Sequence, residues 1–269
     1  MKQFLVICFI AASALAQDAQ VKGRQIVEDA VKALGGEKFL SVQNRIETGR
    51  AYSFSFNELS GLSVARFYTR YVPVDPAKSG IELAQQEYQG LGKDEAYYNV
   101  FREEGGWEVT YRGPVAIEKE LVERHRNSTM NNLFYILRNR LKEPGMIFEA
   151  RGSDVIENIP MNIVDIIDST NRVVTAYFHP STKLPLRQSW VWRDPETRER
   201  FEEVSRFARY RDVDGTQWPF QVNRERNGKK IYEMFADSVV INQEIDGQRF
   251  AIPDEDSRPI KTSTETKRR

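Results

Sequence analysis

Apolar and polar positions along this chain change period several times, and each change predicts an element. Ile26, Val27, Ala30, Val31 and Leu34 fall on one stripe of a helix over residues 21–34. Gly35-Gly36 ends it, because glycine takes the left-handed cap conformation at little cost, and a short turn over 37–42 follows. The period then drops to two. In Tyr52-Ser53-Phe54-Ser55-Phe56 the aromatics share one face and the serines the other. A partner strand over 63–72 carries Val64, Phe67, Tyr68 and Tyr71, with the hairpin turn placed at 57–62 around Gly61. Short strands are predicted at 95–102 and 106–112, joined at Glu104-Gly105-Gly106.

The period returns to helical over about 114–142. Pro114 suits a first turn. Ile117, Leu121, Val122 and His125 form one stripe, and Met130, Leu133, Phe134, Leu137 and Leu141 another, before Pro144-Gly145. Asn127-Ser128-Thr129 is the weak point at which this helix divides if it divides, and it also spells a glycosylation sequon, a motif common by chance. From 146 to 252 strands are predicted at 146–157, 161–168, 173–179, 185–193, 200–211, 217–226, 230–241 and 248–252. Asn171-Arg172, Ser181-Thr182, Asp214-Gly215 and Asn227-Gly228 punctuate them. Even spacing and tight turns mean an antiparallel meander rather than βαβ units. The expected architecture is therefore mainly β (α+β), one β-rich domain over 17–256, with a polar, disordered tail over 257–269.

The first residues change the picture of where the chain resides. Lys2, the apolar run Phe4 to Ala12 and the small residues of Ser13-Ala14-Leu15-Ala16 read as a signal peptide over 1–16, cut between Ala16 and Gln17. The run is shorter than the about 20 residues that span a bilayer. The single Cys, Cys8, lies inside that run, so the remainder has no thiol for a disulfide, a nucleophile or a metal. Lys+Arg and Asp+Glu both number 39, a balance that gives nucleic acid no electrostatic hold.

Candidate chemistry is sparse. The sequence has no His-Glu-x-x-His, no Gly-x-Ser-x-Gly, no phosphate loop and no dinucleotide fingerprint. His125 and His179 are the two histidines, fewer than a zinc site needs. They read as a packed helix residue and a turn residue. Asp165 and Asp168 have opposite strand parity, and Asp212 and Asp214 flank a Gly215 turn, so neither pair reads as a glycosidase pair. No catalytic residue, metal or cofactor is assigned. The stronger signal is aromatic. The helix supplies Leu121, Met130, Leu133, Phe134 and Leu137, and the sheet supplies Phe54, Phe56, Trp190 and Trp192. Packed together they are core. Held apart by a curved sheet under a helical cover, they line an apolar cavity.

Residues 177–253 resemble the C-terminal half of the bacterial lipoprotein-carrier superfamily, the LolA/LolB-like, outer-membrane lipoprotein-sorting-like proteins. The matching stretches are YFHPSTKLPL (177–186), YRDVDGTQWPF (210–220), and the ending Val240-Ile241-Asn242 through Phe250-Ala251-Ile252-Pro253; the helix closed by Leu34-Gly35-Gly36 is similar too. The resemblance implies a half-open antiparallel β-barrel with covering helices. It implies a non-enzymatic periplasmic carrier whose partner is an apolar ligand or lipoprotein acyl chain. A cell-envelope scaffold or accessory protein with an envelope protein partner and no ligand is the alternative. No carrier residue aligns with a numbered position here.

Overall fold

The computed structural model describes residues 2–92, 94–194 and 196–254, residues 2–16 as backbone only. The tail expected at 257–269 lies outside the described residues. Helix α1 (Lys2–Leu34) is longer than the predicted 21–34 and takes in the segment read as a signal peptide. Gly35 and Gly36 both have positive φ, and Gly36 N–H donates back to Val31 O at 2.9 Å, closing the helix as the sequence suggests. A short α2 (Glu37–Leu40) follows.

All the strands belong to one antiparallel sheet of thirteen. The first meander comprises β1 (Asn44–Ser55), β2 (Glu58–Tyr71), β3 (Gln85–Leu91), β4 (Tyr97–Arg102), β5 (Gly105–Thr110) and β6 (Gly113–Ala116). The second comprises β7 (Ile147–Ile156), β8 (Ile159–Ile167), β9 (Val173–Phe178), β10 (Pro185–Arg193), β11 (Arg200–Val213), β12 (Thr216–Arg226) and β13 (Lys229–Ile241). Their order across the sheet is 6-5-4-3-2-1-13-12-11-10-9-8-7. The two meanders meet where β1 pairs with β13, and β6 and β7 are left as free edges. The sheet is curved and not closed.

This topology explains where the helices lie. The chain leaves one edge at β6 and re-enters at the other edge, β7, so residues 117–146 must cross the sheet. They cross its concave side as α3 (Lys119–Met130), then α4 (Leu133–Tyr135) running into a π-helical turn (Ile136–Arg140). The single helix expected over 114–142 is corrected on two counts. Pro114 sits in β6, paired with Val109 on an edge strand, where a missing N–H is tolerated. The helix breaks at Asn131-Asn132. There Gln188 of β10 accepts from Leu133 N (2.6 Å) and donates to Asn131 O (2.9 Å), and Asn132 caps Tyr135 N.

Two further expectations are corrected. The β1–β2 turn is Phe56-Asn57, both with positive φ, and Gly61 lies inside β2 opposite Ser53. The strand expected at 248–252 is a 3-10 turn, Gly247–Phe250. By contrast Asp214-Gly215 and Asn227-Gly228 are hairpin turns as read.

The main core lies on the concave side of the second meander. Val27, Ala30, Val31 and Leu34 of α1, with Leu133, Ile136 and Leu137, pack on Phe148, Val164, Ile166, Ala176 and Phe178. A second cluster, Tyr68, Tyr88, Tyr98, Val100 and Val109, lies on the other face of the first meander. It is sealed by Phe250 of the C-terminal segment. Arg249 pins that segment to buried Glu95 at 2.6 Å.

Candidate ligand cavity under the crossing helices

Between α3–α4 and the concave face of β1–β3 and β11–β13 the core is incomplete, leaving a cavity of about 230 Å³. Its position follows from strand register. Arg45, Thr69 and Glu87 form one cross-strand row, and Glu47, Phe67 and Gln89 the next. From the other meander, Ser205, Arg224 and Tyr232 form a row, and Phe207, Val222 and Met234 another. The cavity straddles the β1–β13 seam, where these rows meet.

One wall is apolar: Phe67, Phe134, Phe207, Phe220, Val222 and Met234. Phe134 reaches it from α4, its ring edge-on to Phe207 (4.9 Å) and tilted against Trp218 (5.1 Å). The other wall is polar. Arg45 stacks on Trp218 at 4.2 Å and donates to Tyr71 Oη (2.9 Å) and Thr69 Oγ1 (3.2 Å). Its Nε lies 3.4 Å from Glu47 but outside hydrogen-bonding geometry, and so is buried without a hydrogen bond. Trp218 Nε1 donates to Glu47 at 2.6 Å. Burial pulls the Arg45 guanidinium down, but Glu47 and its other neighbours outweigh this and hold it above its ordinary value. Glu87 accepts from Gln85 Nε2 and, at 2.8 Å, from Gln89 Nε2.

His125 of α3 stacks on Phe101 at 3.8 Å, and its Nε2 is 3.6 Å from Glu87, too far for a hydrogen bond. Burial lowers its pKa; Glu87 opposes this and Arg224 reinforces it. Burial also pushes the Tyr232 hydroxyl well above the usual tyrosine range. Ser128 Oγ, three residues on from His125, accepts from Arg224 Nη2. Among the described residues no cluster of three or more His, Cys, Asp or Glu is placed to hold a metal ion.

Two more cavities flank α3: one of about 320 Å³ against β4–β6 and one of about 250 Å³ against β10–β12. His125 lines all three, so α3 is a strap with space beneath it and on both sides.

The nine residues singled out from sequence are divided among these places. Phe134 lines the central cavity. Leu121, Trp190 and Trp192 line the cavity beside β10–β12. Leu133 and Leu137 are solid core, and Met130 packs with Leu83, Ala84 and Tyr135. Phe54 is half-buried beneath Lys230, and Phe56 is 82% exposed at the hairpin tip. These two are not brought to the helices. The polar wall was not singled out. Its signal was the alternation Gln85-x-Glu87-x-Gln89, polar on the face that a core strand would make apolar. Of the other candidates, His179 Nδ1 accepts from Ser181 N (3.2 Å) and Thr182 N (3.1 Å), a turn residue. Asp212 accepts from Gly215 N at 3.0 Å inside its own turn.

No family model matches the sequence, and no curated protein does. Solved structures do. A DUF1329 family protein from Desulfovibrio piger is similar with a TM-score of 0.55 and 11% identity, over 85% of this chain and 96% of that one. A domain named for outer membrane lipoprotein sorting, from Vibrio parahaemolyticus, is similar with a TM-score of 0.54 and 10% identity, over 85% and 97%. A LolA superfamily protein from Nitrosomonas europaea matches at a TM-score of 0.45 and 10% identity, over 83% and 97%. At such identity the likeness concerns the fold alone. The chain shares the fold of the first two of these structures: a curved, open antiparallel sheet with helices laid across its concave side.

Proposed function

We propose that this chain is a non-enzymatic binding or carrier protein of the bacterial periplasm, exported by residues 1–16, that holds the acyl part of a lipid or lipoprotein beneath α3. The observation that carries this reading is the hollow beneath α3. Phe67, Phe207, Phe220 and Met234 turn large apolar surfaces into a cavity where a globular core would be filled. The printed name of the Vibrio parahaemolyticus domain, which concerns lipoprotein sorting, points the same way. The fluorescent probe N-phenyl-1-naphthylamine, titrated into delipidated protein, should bind saturably. Met234→Trp, which fills the cavity from its apolar wall, should weaken that binding. Lipid extracted from gently purified protein should be stoichiometric by mass spectrometry. Absence of both saturable probe binding and co-purified lipid refutes the carrier reading and leaves a scaffold whose hollow is unused.

A further inference from the structure

Arg224 is the cation of the cavity without a carboxylate. Its neighbours on the same sheet are matched: Arg45 with Glu47 (3.4 Å), Arg226 with Glu203 (2.6 Å), Arg206 with Glu157 (2.8 Å) and Glu225 (2.6 Å). Arg224 donates to Ser128 Oγ on α3 and makes no ion pair among the described residues. It lines both the central cavity and the one beside β10–β12. Two buried nitrogens that line the same cavity, Arg45 Nε and His125 Nε2, lack a hydrogen-bond partner. Buried polar atoms are nearly always satisfied, so these two nitrogens, beside a guanidinium that has no carboxylate, mark room for an acceptor.

Glu87 is arranged differently. Two glutamine amides, from Gln85 and Gln89, already occupy its oxygens. The cavity therefore spends amide donors on its own acid and leaves the Arg224 guanidinium without a carboxylate. The apolar wall faces this arrangement, and the volume is below the roughly 300–1,000 Å³ of drug-sized ligand sites, which favours one chain over two.

We infer that the cavity takes a single-chain amphiphile with an anionic head, a carboxylate or phosphate monoester, bound at Arg224, with its chain against Phe67, Phe207 and Met234. This rests on the carrier reading and narrows its ligand class. A planar guanidinium can hold either head through two parallel charge-assisted hydrogen bonds. A head without charge would leave Arg224 as it is.

The test is direct binding of cis-parinaric acid and of its methyl ester to the delipidated full chain. The acid should bind at least tenfold more tightly than the ester. Arg224→Gln should lower the acid's affinity at least tenfold and leave the ester's unchanged, with an unaltered melting temperature as the folding control. Arg224→Lys should keep a preference for the acid. Glu87→Gln, which removes a repelling charge, should tighten the acid. Competition by dodecyl phosphate against palmitate decides which head is preferred. Equal affinity for acid and ester, unchanged by Arg224→Gln, overturns the anionic head but leaves the carrier reading intact. Weaker binding of the acid in Glu87→Gln likewise overturns it, since the head would then sit protonated against Glu87 rather than ionised at Arg224. Failure of both ligands to bind wild-type protein overturns the two proposals together.

Discussion

Arg140 is only 2% exposed, yet its charge is fully answered. It donates to Glu143 at 2.7 and 3.1 Å, to Asp168 at 2.8 Å and to Met130 O at 2.8 Å. Asp168 also accepts from Arg172 Nε (2.7 Å), Thr170 Oγ1 (2.8 Å) and the backbone N–H groups of Thr170 and Arg172. Burial raises the Asp168 pKa, but Arg140, Thr170 and Arg172 outweigh it and hold the carboxyl at about 2. A depressed acid stabilises the fold above its unfolded pKa, and that stability disappears as pH falls towards the folded value. For Asp168 the window runs from about 4 down to about 2, and the contribution is about 2 kcal/mol. Urea unfolding at pH 7, 4 and 2.5 checks this. Asp168→Asn should cost about 3 kcal/mol at pH 7, because Arg140 is left buried with one partner fewer. The gap to wild type should narrow through the same window. A gap that stays constant with pH counts against the assignment.

At the scale of elements, α4 and its π turn join the core to the cavity, and adjacent residues have different jobs. Leu133 is wholly enclosed by α1 and the sheet, whereas Phe134 stands between Trp218, Phe207 and the hollow. Leu133→Ala should cost about 2–5 kcal/mol and leave the affinity for the naphthylamine probe alone. Phe134→Ala should cost less, because the space it vacates adjoins one already empty, and should change probe affinity severalfold. Equal stability losses with unchanged binding would show Phe134 to be ordinary core. The same contrast explains what the sequence made legible. Strands with one face in the core alternate, so β10 was read at its observed bounds, and Asp214-Gly215 and Asn227-Gly228 marked their hairpins. Strand β3 faces the cavity with Gln85, Glu87 and Gln89, lacks an apolar face there, and went unread. The break at Asn131-Asn132 was invisible because Gln188, which stabilises it, lies 55 residues from Leu133 in the chain. Phe134 could be picked out by its helical stripe. Arg45, Glu87 and Arg224 could not, because strand pairing across the seam brings them together.

That seam governs the molecule as a whole. Every other neighbour in the sheet is consecutive in sequence; β1 against β13 is the exception. Closing it joins residues near 50 to residues near 235, so it is the costly, late step expected of a high-contact-order fold. It also assembles the cavity, since β1 and β3 bring Arg45 and Glu87 while β11 and β12 bring Phe207 and Arg224. The weak point of the seam is the irregularity between Thr48 and Gly49. A Cβ on Gly49 would come 2.1 Å from Phe235 O and 2.8 Å from Ala236 Cα, both backbone atoms. Gly49→Val must therefore push β1 off β13. Unfolding should become easier by about 3 kcal/mol, and the two meanders should part company. The first meander depends on Phe250, delivered by the C-terminal segment beyond β13, to seal its outer cluster. The second keeps α1 and the main core. Hydrogen exchange followed by mass spectrometry should show β2–β5 and β8–β11 opening together in wild type. In Gly49→Val, β2–β5 should open first, and binding of the naphthylamine probe should fall with their protection. Simultaneous opening in the variant would mean that the helices crossing from β6 to β7, rather than the β1–β13 pairing, hold the halves together.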